Sequence, residues 1–374
     1  MKSSFLYNSA MLSKKQTRNV YLNTLFSASL PASACWVILL ADRGFSLVEI
    51  GIFESIFHLT SFGFEIPSGM IADIFGKRRC MIASGIALTT SAFFMLIGNT
   101  YFNIILAMIF SALGYSFASG AREALVYDTL KAENQTDKYL EFISNDSAIY
   151  RLFKAIATLM AGYTRKIGYI SAYFIDIILS SISTFFAFRL KEIKKPLISK
   201  PLLSDIKNAF ITTALNSFNF LLRNHQASFI IIINALCGVF AVLLSFFLQP
   251  YLTENGVDGI YLGIALFIIS LGGAFGSKCA VLTSKISYPK VLILSVISIT
   301  LCFLMIFTKL PLIMIICGFI TSFFDDIIEI RSNTTLNEMI PEDERATLIS
   351  VNSFTYSVFM IIMSPVIGWL FEIL

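Results

Sequence analysis

Charged residues are scarce in this chain. Asp, Glu, Lys and Arg make up 14% of its 374 residues, whereas an average soluble domain has about 25%. Apolar residues account for 56%, and the mean hydropathy is +0.77. This composition excludes a soluble enzyme, a disordered protein and a small secreted module held by disulfides. The net charge of +4 comes from 28 cations and 24 anions, a balance that does not indicate nucleic-acid binding.

Motifs for catalysis and metal binding are also absent from the sequence. It contains no H-E-x-x-H, no G-x-S-x-G and no Walker loop, and its only histidines are His58 and His225. The six cysteines lie in or beside apolar segments and form no C-x-x-C pair, so we interpret them as apolar packing residues. We therefore expect no enzyme activity, no metal site and no cofactor.

Long apolar segments are abundant instead. A helix needs about 20 largely apolar residues to cross the hydrocarbon layer of a bilayer. Eleven segments meet this criterion: residues 20–40, 48–69, 80–98, 103–127, 141–162, 169–190, 227–250, 258–277, 289–308, 310–330 and 346–371. The sequence therefore predicts an all-α polytopic membrane protein whose surroundings are the lipid bilayer.

The positions of Lys and Arg predict the orientation of these spans. Most of the 28 cations lie in connections on one side of the predicted membrane, and only Arg43, Arg165, Lys166 and Lys309 lie in connections on the other. Because cytoplasmic connections carry the excess of cations, we expect a multi-pass protein of the cell membrane with a cytoplasmic N-terminus. The long connection 191–226 is then cytoplasmic, and its amphipathic stretch from Ser204 to Leu222 predicts a helix along that face.

An internal repeat divides the chain into two halves. A shift of 206 residues aligns residues 142–147 with 348–353 and places Gly162 on Gly368. Parallel repeats of this kind predict two pseudo-repeated six-helix bundles, over residues 1–190 and 227–374, joined by the linker 191–226. The second bundle shows five spans, because the counterpart of 169–190 falls beyond Leu374. A truncated twelve-helix chain and a chain that works with eleven helices both remain open.

Residues 69–79, GMIADIFGKRR, combine glycines and charges between the second and third predicted spans. They resemble motif A of the major facilitator superfamily, G-x-x-x-D-(R/K)-x-G-R-(R/K), at the place where that family carries it. The resemblance implies a cytoplasmic charge cluster that latches one conformation, formed here by Gly69, Asp73, Gly76, Lys77 and Arg78 with Asp128 as partner. The alternative is that the cations only set topology.

The resemblance covers about residues 20–371 and implies a secondary transporter that works by alternating access. Two departures weaken an assignment to drug/proton antiporters: Phe110 stands where motif B has Arg, and residues 155–162 lack the proline of motif C. We expect a monomer that exports a small hydrophobic or amphiphilic compound, coupled to protons or sodium. The alternatives are import of an anionic or zwitterionic nutrient, and a transport-inactive relative that acts as a sensor or partner protein.

Polar side chains in the second predicted span are candidates for proton coupling. Glu54, His58 and Glu65 fall on one stripe of a helix, and charges inside spans usually face a cavity or a partner. His titrates near physiological pH, and burial can bring Glu there. Asp176 is a further candidate. The alternative is that these groups bind each other or a neighbouring helix.

Other polar residues inside the spans are candidates for a substrate cavity. The resemblance implies that spans 1, 4, 7 and 10 line this cavity, and Arg151 in span 5 either pairs within the protein or meets an anionic substrate. Asn23 and Asn234 could equally hydrogen-bond a neighbouring helix, and Arg122 could pair locally. The candidates are Asn23, Tyr115, Ser119, Arg122, Arg151, Asn234, Asp325, Asp326 and Glu329.

Overall fold

The computed structural model describes residues 2–193, 203–339 and 345–373, and all regular elements in these ranges are helical, as predicted. Two short 3-10 turns, Thr136–Lys138 and Thr283–Lys285, accompany the α-helices. In chain order the α-helices are α1 (Lys2–Ala28), α2 (Pro31–Ala34), α3 (Trp36–Ala41), α4 (Leu47–Phe75), α5 (Lys77–Leu96), α6 (Tyr101–Ala118), α7 (Ala121–Ala132), α8 (Tyr139–Leu159), α9 (Ala161–Phe188), α10 (Leu203–Arg223), α11 (His225–Glu254), α12 (Ile260–Leu282), α13 (Tyr288–Ile306), α14 (Pro311–Met339) and α15 (Arg345–Ile373).

Within the described residues, nine helical segments are long and apolar enough to cross a membrane. They correspond to nine of the predicted spans, and the predicted spans 20–40 and 141–162 are not among them. The first is divided among α1, α2 and α3. The second lies in α8, which carries Asp146, Arg151 and Lys154 and is therefore too polar. The count of eleven spans stays a prediction.

The predicted span 103–127 is interrupted. Helix α6 ends at Ala118 and α7 begins at Ala121, so Ser119 and Gly120 separate them. Gly120 has a φ of 69°, a backbone conformation that glycine adopts without the steric penalty of a Cβ atom. The break places the charged residues that follow on a separate short helix.

Packing divides the chain into two compact units. Unit 1 comprises Met1–Ala34, Gly63–Ala157 and Gly168–Phe210, and unit 2 comprises Cys35–Phe62, Thr158–Ile167 and Ile211–Leu374. This division differs from the predicted boundaries at 1–190, 191–226 and 227–374, because residues 35–62 and 158–167 pack against helices of the second half. The two-bundle organisation and the repeat stay predictions.

Each unit has its own apolar core. In unit 1 the largest buried side chains near α7 are Leu125, Leu130 and Phe142, which pack with Met81. In unit 2, a Cβ atom on Gly272 or Gly276 of α12 would overlap backbone carbonyls of α14. Small residues allow helix backbones to approach closely in lipid, so these glycines set the α12–α14 contact.

The amphipathic helix predicted over Ser204–Leu222 is present as α10. From residue 211 onward it belongs to unit 2. Ser217 and Phe220 are buried on one face. The opposite apolar side chains are exposed: Ile211, Leu215, Phe218 and Leu222.

Candidate functional site

A cavity of about 650 Å³ lies in unit 2 between α11, α14 and α15. Its volume is within the range of small-molecule sites, about 300–1,000 Å³. Its polar lining consists of Asn234 on α11, of Asp325, Glu329, Asn333 and Asn337 on α14, and of Asn352, Ser353 and Tyr356 on α15. The structure thus brings together three of the predicted cavity residues, one from span 7 and two from span 10.

Of the lining residues that the structure describes, Asp325 and Glu329 are the only charged ones. Among the described residues, Asp325 and Glu329 have neither an ion-pair nor a hydrogen-bond partner, and the lining contains no Lys or Arg. Asn234 adds a buried amide oxygen that accepts no hydrogen bond from the described part of the chain. Asp326 does not line the cavity, because its carboxylate lies against Gly273 of α12. The walls therefore present hydrogen-bond acceptors and negative charge.

Five polar lining residues were not predicted from the sequence: Asn333, Asn337, Asn352, Ser353 and Tyr356. The sequence does contain a signal for two of them. Polar residues recur at every fourth position from Asp325 through Glu329 and Asn333 to Asn337. The predicted span stopped at residue 330, whereas α14 continues to Met339, so the end of this stripe was assigned to a loop.

Glu54 and His58 form a buried pair beside the cavity. The Nε2 atom of His58 lies 3.2 Å from Oε1 of Glu54, and both residues are less than 10% exposed. The His58 ring also makes an edge contact with Tyr356, with 5.7 Å between ring centroids. Two residues of the predicted stripe are thus brought together. Glu65, the third, belongs to unit 1.

Asp176 stabilises the helix break between α1 and α2, within the first predicted span. Its carboxylate accepts hydrogen bonds from the backbone N–H of Ala32 (3.1 Å) and Ser33 (2.8 Å) and from the Ser33 hydroxyl (2.7 Å). These are donors at the start of α2, which a helix start leaves without intrahelical partners. The residue is fully buried. This geometry shows that Asp176 stabilises the helix break, and its role in coupling stays a prediction.

Two predicted cavity residues of unit 1 are engaged inside the protein. The Asn23 amide donates to the carbonyl and hydroxyl of Ser183 on α9, so it makes the helix contact that was one of its two interpretations. Arg122 lies 3.8 Å from Asp146, and Asp146 also accepts a hydrogen bond from Thr24 (2.6 Å). Arg122 therefore pairs locally, with an aspartate that was not predicted.

The remaining cavity candidates of unit 1 are exposed. They are Tyr115, Ser119 and Arg151, on or beside α6 and on α8. Lys154, one turn after Arg151, lies over the ring of Tyr150 at 5.6 Å. The structure does not bring these residues into the cavity of unit 2.

The predicted latch contains a short ion pair. Lys77 Nζ lies 2.6 Å from Asp128 Oδ2, the partner that the motif implied. The Arg78 backbone N–H donates to Glu192 (2.8 Å) and its guanidinium donates to the Phe188 carbonyl (2.9 Å). The contact with Glu192 was not predicted, because nothing in the motif points to a residue so far along the chain.

Gly69, Asp73 and Gly76 are the other residues of the predicted latch. Gly76 turns the chain between α4 and α5 with a φ of 98°, and a side chain there would meet Glu192. Gly69 is exposed, with open space around it. Asp73 is exposed and forms no ion pair with the described residues. The latch function of the motif stays a prediction.

Arg165 joins two aspartates in unit 2. Its guanidinium donates two hydrogen bonds of 2.8 Å to Asp42 and one of 2.9 Å to Asp258. The Gly259 N–H also donates to Asp258, and this bond together with Arg165 lowers the pKa of Asp258. The sequence offered only the cations' positions as topology markers, so this cluster was not predicted.

We expect Arg165→Gln to destabilise unit 2 modestly, by about 1 kcal/mol, because partly exposed ion pairs contribute little. The lowered pKa of Asp258 means that its contribution is complete above the ordinary aspartate value of about 3.9 and is lost as the pH falls through the lowered pKa. Thermal unfolding in detergent at pH 7 and pH 3 measures this. The control is Lys166→Gln, at an exposed neighbour, and an equal loss in both variants would contradict the role of the cluster.

Close glycine contacts accompany this cluster in unit 2. A Cβ atom on Gly162 would overlap the Gly259 carbonyl, and one on Gly263 would overlap the Leu159 carbonyl. On the other pair of helices, a Cβ atom on Gly51 of α4 would overlap the Ser364 carbonyl of α15. Likewise, one on Gly368 would overlap the Leu47 carbonyl. Four glycines thus hold α8 and α9 against α12, and α4 against α15.

Comparison with known proteins places the chain in a family. The family model of the Major Facilitator Superfamily matches residues 20–288 and 279–374. The "Uncharacterized MFS-type transporter YxaM" of Bacillus subtilis (strain 168) is 24% identical over 345 residues, which cover 90% of this chain and 84% of that protein.

Solved structures share the fold. The nucleoside transporter NupG, in a mutant form, superposes with a TM-score of 0.77 at 13% identity and covers 96% of this chain and 91% of its own. A second structure of NupG gives a TM-score of 0.69 at 15% identity over the same shares. The match of the family model along the chain shows that this protein belongs to the major facilitator superfamily of transporters.

Proposed function

We propose that the chain is a secondary active transporter that moves a small polar molecule by alternating access and couples this movement to protons. The observation that carries the proposal is the cavity of unit 2, whose polar wall adjoins the buried Glu54–His58 pair through Tyr356. A wall of amides, a hydroxyl and carboxylates offers a solute directional hydrogen bonds.

The lining favours a polar solute over the hydrophobic or amphiphilic compound expected from the sequence, because α14 and α15 present amides and acids to the cavity. NupG, which shares the fold, is a nucleoside transporter, and a nucleoside is one example of a solute rich in hydrogen-bonding groups. Import of an anion loses support because none of the described residues that line the cavity is a cation.

The Glu54–His58 pair supports proton coupling. The carboxylate and the imidazole are in contact and both are buried, so they provide two adjacent groups of the kind that can carry a coupled proton. A carrier must bind this proton in one state and release it in the other. The His58 ring contacts Tyr356, which lines the cavity. A solute that enters the cavity can therefore influence the Glu54–His58 pair.

The Arg165 cluster and the four glycine contacts support a closed arrangement on the predicted external side. Residues 42 and 165 fall in connections assigned to that side by the cations, and residue 258 begins the predicted span that starts on that side. We propose that these contacts form in one state of the cycle and separate in the other. Their separation would admit or release solute externally.

We expect Glu54→Gln to uncouple transport. The variant should exchange solute across proteoliposome membranes at a near wild-type rate, yet accumulate it at least tenfold less under a pH gradient, because the carboxylate that is proposed to carry the coupled proton is gone. His58→Ala should shift the pH dependence without abolishing accumulation, since the carboxylate remains. The solute is one found in an uptake screen of polar compounds, with uridine included.

The control for this experiment is Glu141→Gln, the same change at an exposed site on α8. It should leave both exchange and accumulation unchanged. Full accumulation by Glu54→Gln and His58→Ala, with an unaltered pH profile, would show that the pair is structural. The direction of transport follows from whether an inward proton gradient fills or empties the vesicles.

A further inference from the structure

We propose that the cavity of unit 2 recognises the ammonium group of a polar organic amine, held by Asp325 and Glu329. The inference deepens the proposed function and rests on it, because it names the chemical class of the solute. It is argued from charge, from the acceptors on the cavity wall and from the space beside Gly238.

Charge on the wall is uncompensated. Asp325 and Glu329 are one helical turn apart on α14, and in the described lining no cation balances them. Charges inside a membrane protein are costly unless they pair, and two nearby carboxylates repel each other. A solute cation would relieve both effects, whereas an anionic solute would add to the repulsion.

The space beside Gly238 suits a small cationic group. A Cβ atom on Gly238 would lie 3.6 Å from Oδ1 of Asp325 and 3.4 Å from a ring carbon of Tyr356. A carboxylate and an aromatic ring therefore meet at one point that glycine leaves empty. Both groups attract a cation, the carboxylate by its charge and the ring by its quadrupole.

The hydrogen-bond acceptors on the cavity wall favour an amine that carries N–H groups. The Asn234 amide oxygen is buried on the cavity wall and has no donor among the described residues. A buried acceptor without a partner is unfavourable, so a ligand donor there would be bound strongly. Asp325, Glu329 and Asn234 together match the several donors of a primary or secondary ammonium. A quaternary ammonium offers none.

The experiment compares amines with their neutral N-acetyl derivatives. Wild-type protein in nanodiscs is titrated with spermidine, glucosamine and tyramine and with the fully N-acetylated form of each, in potassium buffer without sodium. We expect at least one amine to bind, with its acetyl derivative at least tenfold weaker. Asp325→Asn should remove this preference, and Asp326→Asn is the matched control, because its carboxylate faces α12 and not the cavity.

A second variant tests the same position without removing a charge. Gly238→Ala should fold normally, because its Cβ atom would make ordinary contacts at 3.4 and 3.6 Å. The methyl group fills the proposed ammonium position, so we expect affinity for the amine to fall at least tenfold. Equal amine binding by wild type, Asp325→Asn and Gly238→Ala would overturn the proposal.

Other outcomes separate this inference from the proposed function. If only neutral or anionic compounds bind or are transported, the amine site is wrong and the transporter proposal stands. Stabilisation by sodium alone, lost in Asp325→Asn, would identify an inorganic ion site and would also overturn the inference. If an amine binds as expected but is never accumulated, the site is correct and the proposed function fails.

Discussion

Replacing Lys77 with methionine will lower the free energy of unfolding by about 3–5 kcal/mol, the usual loss when one partner of a buried ion pair is removed. The Asp128 side chain is only 4% exposed, and Lys77 Nζ lies 2.6 Å from it. Without Lys77, the buried carboxylate loses the ammonium group that lies against it. Methionine retains the length and apolar contacts of the lysine stem, so the loss measures the charge.

Chemical or thermal unfolding of the purified protein in detergent measures this loss, and Arg79→Met provides the control. Arg79 is in the same run of cations but is exposed, so its variant should change stability by less than about 0.5 kcal/mol. The double variant Lys77→Met with Asp128→Leu removes both charges of this pair and should be less destabilised than Lys77→Met alone. Equal effects of Lys77→Met and Arg79→Met would mean that the cations only set topology.

Because Asp73 is exposed, its substitution can test the predicted latch function without changing the stability of the protein. Its side chain is exposed and makes no ion pair with described residues, so Asp73→Asn should leave the unfolding free energy unchanged within about 0.5 kcal/mol. A defect in transport by this variant, at unchanged abundance, would then report on the transport cycle. Wild-type transport by Asp73→Asn would contradict the latch.

Features with a local physical cause were predictable from the sequence. Apolar segments of sufficient length predicted the nine membrane-capable helices, because a bilayer requires them. The Lys77–Asp128 pair followed from the motif and from the need of a buried acid for a cation. The amphipathic helix α10 followed from the spacing of its apolar residues.

Features that depend on distant backbone were not predictable. Asp176 looked like an unpaired acid, but its donors come from a helix break at Ala32 and Ser33, far earlier in the chain. Arg165 looked like a topology marker, and its partners Asp42 and Asp258 lie in two other connections. A sequence gives the charge of such groups, whereas only the packed helices decide which partners they meet.

The glycine contacts were only partly predictable from the sequence. The repeat aligned Gly162 with Gly368, and each of these glycines lies against a backbone carbonyl of another helix in unit 2. The alignment therefore carried a structural signal, although one shared glycine did not say what it touches. Because the carbonyl is backbone, it cannot move aside as a flexible side chain would.

Alanine at Gly162 will destabilise the contact with Gly259 and shift the transport cycle. Overpacking of a tight contact costs about 1–3 kcal/mol, and if this cost falls only on the state in which the contact forms, that state loses about 5- to 150-fold in population. We therefore expect at least a tenfold fall in solute accumulation with solute binding retained. A cysteine at Leu262, which is fully buried one turn from Gly259, should react at least fivefold faster with an impermeant maleimide.

Gly63→Ala provides the matched control, because a Cβ atom there has open space around it. In a helix, alanine is favoured over glycine by up to about 1 kcal/mol, so this variant should be neutral or slightly more stable. Both variants are made in a background without the native cysteines. Leu262→Cys could be labelled as slowly in the Gly162→Ala protein as in the Gly63→Ala control, with full solute accumulation. That result would show that the contact tolerates a methyl group. In that case the proposed external closure would depend on the Arg165 cluster and on the contacts of Gly51, Gly263 and Gly368, and Arg165→Gln should then speed the labelling by itself.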